Sequence, residues 1–581
     1  MPSQTTGGSR KNLKKSHEPI VQSGKEHKFG RTFALGSHRK TLLGLIVATV
    51  VCLLPFIAKP FNIDDPLFVW AAKQIVQHPL NPYGFSVVWY RTRMPMAEVT
   101  KNPPLASYYA ALVGAGTNWS EVALHLAFLV PAVIVVVATY ELARELTSRP
   151  LLAGALTLAC PAFLVSATSI MCDVWMLAVW MLCVIAWRKG LHSGKGIYLA
   201  TAAVLIAICT LTKYFGACLI PLLFAYSLLK QRRIGSWAWH FILAIAILLG
   251  YQIWAKDLYG RGLLMDAAQY AETTRDVQTP SIFGGFLVGL SFTGGCIFSV
   301  LFLSPVLFRR IWLAAGFVLA AVGATLLTWN LVGQFNYDTQ STPALFVTLV
   351  AFIAGGIFAL ALTALDLWRR RDADSMLLTA WVFGTFIFAA ILNWTVNARS
   401  VLPLVPAVAI LLARGVDAMK GSLRDSRWVW SIPVAASLAI SLWLAAADVS
   451  LAKAARETAE LVHRRTVTEP GKVFFVGHWG FQYYMQELGA IPVDLTDQRA
   501  TANDFLVRPE NNSNTFDPPP EAIASREVIE IDKHLWITPN RYEMGAAFYS
   551  SFGFGPVPFA WGRVPPERSM IFRLKSMQTK Q

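Results

Sequence analysis

Charged residues are scarce in this chain of 581 residues: 15% are Asp, Glu, Lys or Arg, against roughly 25% in soluble domains. With 55% hydrophobic residues and a mean hydropathy of +0.46, the composition excludes an ordinary soluble fold. Cysteine is sparse too. All seven (Cys52, Cys160, Cys172, Cys183, Cys209, Cys218 and Cys296) lie in or beside apolar runs, and none has metal-binding CxxC spacing. Neither a disulfide framework nor a thiolate metal site is expected. The chain also lacks HExxH, GxSxG and the P-loop pattern, and no repeat of solenoid period occurs. The glycine-rich stretch GGFLVGLSFTGG at 284–295 lies inside an apolar run, where glycines serve close helix packing. A nucleotide ligand would therefore find none of its usual cradles.

The net charge of +16 does not indicate nucleic acid. Lys and Arg gather in short clusters between apolar runs, as the positive-inside rule predicts. No arginine-rich helix with interleaved aromatics is present, so no nucleic-acid partner is expected.

Long apolar runs are what the chain has. A spanning helix needs roughly 20 mostly apolar residues, and about thirteen candidates occur: 41–58, 121–141, 151–169, 173–187, 197–212, 214–229, 236–254, 282–307, 311–332, 344–367, 376–396, 400–413 and 428–447. The expected fold is an all-α polytopic membrane protein with a small C-terminal α/β domain. Residues 1–40 read as a disordered basic tail without a signal-peptide cleavage pattern. With that tail inside, every second connection carries a basic cluster, from Arg144 and Arg149 through Arg369–Arg371 to Arg414–Arg427. This places the N-terminus in the cytoplasm and residues 448–581 outside.

Four pieces then lie outside. They are the first loop at 59–120, an amphipathic segment at 255–281, the polar loop at 333–343, and the C-terminal region. Within the first loop, 105–117 is too short to span and reads as an interfacial or re-entrant helix. In the C-terminal region KVFFVG (472–477), EVIEI (527–531) and MIFRL (570–574) read as strands, and FQYYMQELGA as a helix.

Candidate chemistry centres on FNIDDP in the first loop. Pro66 can open a helix, and Asp64 or Asp65 can cap it. Capping and catalysis both fit this pair. Two adjacent carboxylates also repel, so one with a raised pKa would suit a general base. Arg91, Arg93 and Lys101 are cations on the same loop. Asp173 stands at the start of a span, where the helix dipole favours an acid, yet ionisable groups at such depth are functional candidates. Lys213 sits in a hairpin between apolar runs, where snorkelling is the plain account. Arg399 lies in a nearly uncharged stretch and suits a bidentate phosphate contact. His78, His463, His478 and His534 have no metal-ligand spacing and read as structural.

These residues, in this order, are similar to the integral-membrane glycosyltransferases of the C-type fold. The marks are an acidic pair after the first span, NPPL closing the first loop, Asp173 at a span start, and Arg399 before Leu402-Pro403. The branch resembled is that of the protein O-mannosyltransferases and aminoarabinose transferases. The resemblance implies sugar transfer from a polyprenyl-phosphate donor to a lipid, glycan or protein acceptor, outside a cell inner (plasma) membrane. It implies Asp64 as base, with Asp65 and Asp173 beside it and inversion at the sugar. Arg399, Lys213, Lys101 and Arg91 are the candidate donor-phosphate contacts; Asn102 stands where the family often has lysine. A divalent metal is left open, with Asp65 as cap, metal ligand or pKa partner. A lipid-linked-sugar transporter or flippase is the rival; it predicts inverted repeats and paired broken helices, and the sequence shows neither. A non-enzymatic scaffold would leave the acidic pair and Arg399 as mere caps and snorkels.

Overall fold

The structure, a computed structural model, describes residues 26–278, 281–331, 342–419, 426–496 and 500–575. Most of the polar loop expected at 333–343, and the first 25 residues of the basic tail, lie outside the described residues. The chain divides into two compact units, Met1–Gly44 and Leu45–Gln581. Helix α1 runs from Glu26 to Leu53. Residues 26–40, expected to be disordered, are therefore helical.

Among the described residues nine helices are long and apolar enough to cross a membrane, or ten if one bent pair counts as a span. The bent pair is Ile282–Cys296 and Ser299–Leu307, which meet at 90°. Three of the thirteen expected spans are shorter. The run 151–169 divides into Pro150–Leu158 and Pro161–Ser166, because Pro161 lacks an N–H and disfavours helix in the residue before it. Gly196–Thr212 and Leu404–Asp417 are 17 and 14 residues long. The second is buried on nearly every side, the mark of a helix packed within protein. The glycines at 284–295 do serve close packing. A Cβ on Gly294 would stand 1.9 Å from the Phe352 carbonyl oxygen, so two helix backbones meet there.

The first loop folds onto its own elements. Helix α2 (Asp65–Gln77) has Pro66 in its first turn and buries Phe68, Val69, Ala71, Ala72 and Ile75, one helical face. A hairpin follows, β1 (Ser86–Trp89) against β2 (Thr92–Pro95). Its turn residues, Tyr90 and Arg91, both have positive φ, 49° and 69°. Such turns favour Asn-Gly, so this one is held by its surroundings. Leu105–Gly114 forms the expected short helix, and Leu263–Gln278 the amphipathic one.

The C-terminal region forms a five-stranded sheet. β3 (Val473–Phe475) lies between β4 (Ile491–Pro492) and β5 (Phe505–Pro509), parallel to both. The strand Glu567–Leu574 runs antiparallel to β5 and to β6 (Ile523–Ile531). Helix Trp479–Glu487 follows β3 as expected. The domain boundary expected at 447/448 falls inside one continuous helix of 39 residues, Trp428–Thr466. Sheet and helix bundle belong to one unit, and their shared core joins Phe61, Val69 and Phe128 to Phe475, Phe481 and Val507.

Candidate active site

Asp64 and Asp65 are neighbours with opposite surroundings. Asp65 is fully buried. Its Oδ2 accepts from the Asn62 backbone N–H at 2.9 Å and its Oδ1 from that of Ile170 at 2.8 Å. It therefore closes the turn and ties it to the 170 loop. Burial pushes its carboxyl up to about 7, against the pull of Lys59 and the two N–H donors. Asp64 makes no capping bond, and its side chain keeps 26% of its exposure. The raised carboxyl is that of the anchor. Each oxygen of Asp65 is thus engaged by a backbone N–H of the fold itself, the arrangement of an anchoring residue. The residue before the pair, Ile63, is buried with φ at 47°. A β-branched side chain is a true outlier there, and such strain concentrates where the fold fixes a functional group.

Arg399 reaches Asp64 from the other end of the chain. Helix Ala373–Ile387 ends in a π-helical turn, Phe388–Leu392, and an irregular segment leads to the single turn Ala398–Val401. Asn397 caps that turn by accepting from Ser400 N–H at 2.8 Å. Arg399 Nη1 donates to Asp64 Oδ2 at 2.9 Å and lies 3.0 Å from Met171 Sδ; Nη2 donates to the Tyr549 carbonyl at 3.4 Å. Burial pulls its pKa down, and the Asp64 and Asp173 carboxylates more than offset that, so the net direction is up.

The second pair adjoins the first. Lys213 donates to Asp173 Oδ1 at 2.5 Å, and Asp173 opens helix Cys172–Ser193 directly after Met171 and Cys172. Cys172 Sγ lies 3.5 Å from Asn102 Oδ1, which brings the NPPL motif to the same place. Lys101 turns aside. It pairs with Asp266 at 2.7 Å and lies over the Tyr270 ring, whose hydroxyl is 3.4 Å from that of Tyr90. Arg91 is engaged elsewhere as well, donating to the Asn514 and Thr515 carbonyls, each at 3.2 Å, above Phe516. Asp64, Asp173, Lys213 and Arg399 thus converge on one end of the bundle, with Asn102 among them. Lys101 stands at its edge, and Arg91 holds a loop of the C-terminal sheet.

Sequence reasoning passed over the support beneath this site. Lys59 and Asp448, both fully buried, pair at 2.5 Å. Asn62 Nδ2 and the Tyr549 hydroxyl also donate to Asp448, at 3.2 and 2.8 Å. Each acid or base stands at the end of an apolar run, where it reads as a boundary residue; an ionisable group at such depth was the available signal. The C-terminal sheet also touches the turn directly. The Phe61 N–H donates to the Tyr484 hydroxyl at 2.7 Å, and a Cβ on Gly480 would stand 2.0 Å from the Phe61 carbonyl oxygen. Among the described residues no cluster of three His, Cys, Asp or Glu side chains could hold a metal ion.

Residues 101–254 match the family of dolichyl-phosphate-mannose-protein mannosyltransferases. The match bears out the resemblance to membrane glycosyltransferases; it includes Lys101, Asp173 and Lys213 and stops short of Asp64 and Arg399. No curated protein sequence matches the chain significantly. Among solved structures the chain is similar to ArnT from Cupriavidus metallidurans bound to undecaprenyl phosphate, with 14% identity, coverage of 82% of this chain and 94% of that one, and a TM-score of 0.46. It is also similar to the apo oligosaccharyltransferase of Archaeoglobus fulgidus, with 13% identity, coverage of 79% and 64%, and a TM-score of 0.46.

Proposed function

We propose that this chain is a membrane glycosyltransferase that moves a sugar from a polyprenyl-phosphate donor to an acceptor on the extracytoplasmic face. The observation that carries the reading is the Asp64–Arg399 pair, at 2.9 Å, set beside the Asp173–Lys213 pair at one end of an apolar bundle. In a polyprenyl-phosphate sugar the leaving group is already an anion, so it needs charge stabilisation more than a proton. Arg399 and Lys213 supply that charge, with Lys101 at the edge of the site. Asp64 accepts the proton of the acceptor's hydroxyl or amine as its oxygen or nitrogen bonds to the anomeric carbon. The bond from that carbon to the phosphate oxygen breaks with its electron pair on the phosphate. Attack from the face opposite the phosphate inverts the sugar.

The geometry favours this division of labour. Arg399 and Lys213 are each paired with a carboxylate before substrate arrives, and an incoming phosphate can take the place of Asp64 on Arg399. Asp64 is then released from Arg399 and freed to take a proton. Asp173 holds Lys213 in place.

The test is reconstitution of the full-length protein in liposomes with radiolabelled undecaprenyl-phosphate hexose and an envelope-lipid extract as acceptor source. Wild type is expected to transfer label, and Asp64→Asn is not. Transfer by folded Asp64→Asn at the wild-type rate would falsify the assignment of the base. Passage of intact donor across the bilayer without transfer would favour the flippase instead.

A further inference from the structure

His478 lies between the C-terminal sheet and the hairpin, with 4% of its surface exposed. Its ring stacks on Trp89, centroids 4.2 Å apart and planes 18° apart, and Tyr90 meets it edge-on at 6.5 Å. A relay of hydrogen bonds fixes its tautomer. Gln482 Nε2 donates to the Val88 carbonyl at 3.1 Å, which orients the amide. Gln482 Oε1, 3.1 Å from His478 Nδ1, can only accept, so the proton sits on Nδ1. Burial pushes the imidazole down to about 4 and keeps the ring neutral near pH 7. Nε2 then presents a bare lone pair. It is buried and has no hydrogen-bond partner among the described residues, a condition native folds rarely leave without a purpose.

The backbone at this point is strained. Gly477 has φ at 97° and Trp479 at 66°; a tryptophan in the left-handed region is uncommon, and such strain collects at binding sites. Gly480, two residues beyond His478, abuts the Phe61 carbonyl, and Phe61 is three residues before Asp64. The ring and the open acid belong to one junction.

We propose that His478 Nε2 accepts a hydrogen bond from a hydroxyl or amino group of the acceptor, with the junction rearranged around it. The C-terminal sheet thereby supplies a specificity-determining contact to the transfer site. The inference rests on the transferase reading above. It assigns His478 to the acceptor and leaves the donor phosphate to the cations of the helix bundle.

The experiment uses full-length protein in liposomes, radiolabelled undecaprenyl-phosphate hexose as donor and a titrated envelope-lipid extract as acceptor source. Wild type and Asp64→Asn are run first. If wild type does not transfer, or Asp64→Asn transfers equally well, the transferase reading falls and this inference with it. His478→Phe keeps a ring against Trp89 and removes both nitrogens; His478→Gln restores an acceptor oxygen. His478→Phe is expected to raise the half-saturating amount of acceptor about tenfold, the size of one lost neutral hydrogen bond in a closed site. The donor KM should stay unchanged, and His478→Gln should recover to within about threefold of wild type. An unchanged acceptor requirement in His478→Phe overturns the proposal. Donor and acceptor constants shifting together, with a lowered melting temperature in both variants, overturn it as well, because that pattern marks a packing role.

Discussion

Lys59 and Asp448, 389 residues apart in sequence, form a fully buried ion pair at 2.5 Å directly beneath the turn that presents Asp64. Lys59 ends the segment after the first apolar helix, and Asp448 lies midway along the helix that leads into the C-terminal sheet. Their bond fixes the spacing between those two parts of the fold.

Breaking that pair on one side strands a charge where no water can reach it. Lys59→Met and Asp448→Asn should each lower stability by about 3–5 kcal/mol. The double variant Lys59→Met/Asp448→Leu should lose less than the sum. Thermal unfolding of detergent-solubilised protein reads the comparison. Additive losses would show that the two residues act separately.

The open acid and its arginine should separate chemistry from binding. Asp64→Asn is expected to lower kcat by about 10²–10⁴ in protein that remains folded. Arg399→Ala should chiefly raise the donor KM if, as proposed, it removes a phosphate contact. Arg399→Lys should not restore it fully, because an ammonium cannot reproduce the planar fork that spans Asp64 and the Tyr549 carbonyl. Steady-state kinetics with varied donor decide between these outcomes.

Gly480→Ala should act at a distance from the chemistry. Its Cβ would stand 2.0 Å from the Phe61 carbonyl oxygen, with backbone on both sides and no side chain free to move away. The sheet must shift from the turn, so both melting temperature and transfer rate should fall. Wild-type values for both would mean that the junction tolerates a looser fit.

Acid should expose His478. Its folded pKa, about 4, is below the ordinary value of 6.5, so the unfolded chain binds the extra proton first. Its contribution is intact above pH 6.5 and is lost as pH falls toward 4, by about 3 kcal/mol at most. Asp65, raised to about 7, works in the opposite sense, its contribution being lost as pH rises from about 4 to 7. The measurement is therefore the difference in stability between wild type and His478→Gln across pH 4–7. That difference should move in favour of the variant on acidification, since the Asp65 contribution is common to both proteins. A difference independent of pH would place the His478 proton outside the folding equilibrium.

The helical architecture was legible in the chain because apolar runs leave few alternatives: in lipid every backbone N–H and carbonyl must bond within its own segment. FNIDDP, NPPL and the arginine before Leu402-Pro403 were legible as well, since each is a local departure from an apolar background. The count of spans was not. Leu404–Asp417 and Gly196–Thr212 have the composition of spans, but whether an apolar helix meets lipid or protein depends on what packs around it.

The residues of FNIDDP by themselves left capping and catalysis both open, and the family resemblance alone pointed to Asp64 as base. In the fold, the approach of the Ile170 N–H makes Asp65 the buried anchor, and Arg399, 335 residues away, pairs with Asp64. His478 carries no local signal either, as its free lone pair arises from Gln482 and Val88, which the fold brings to it. Sequence by itself determined the solvent this chain folds in and the residue types available for chemistry, because both follow from composition and short-range pattern. Tertiary structure alone decided which charges meet and which are buried, because partners hundreds of residues apart are chosen by packing.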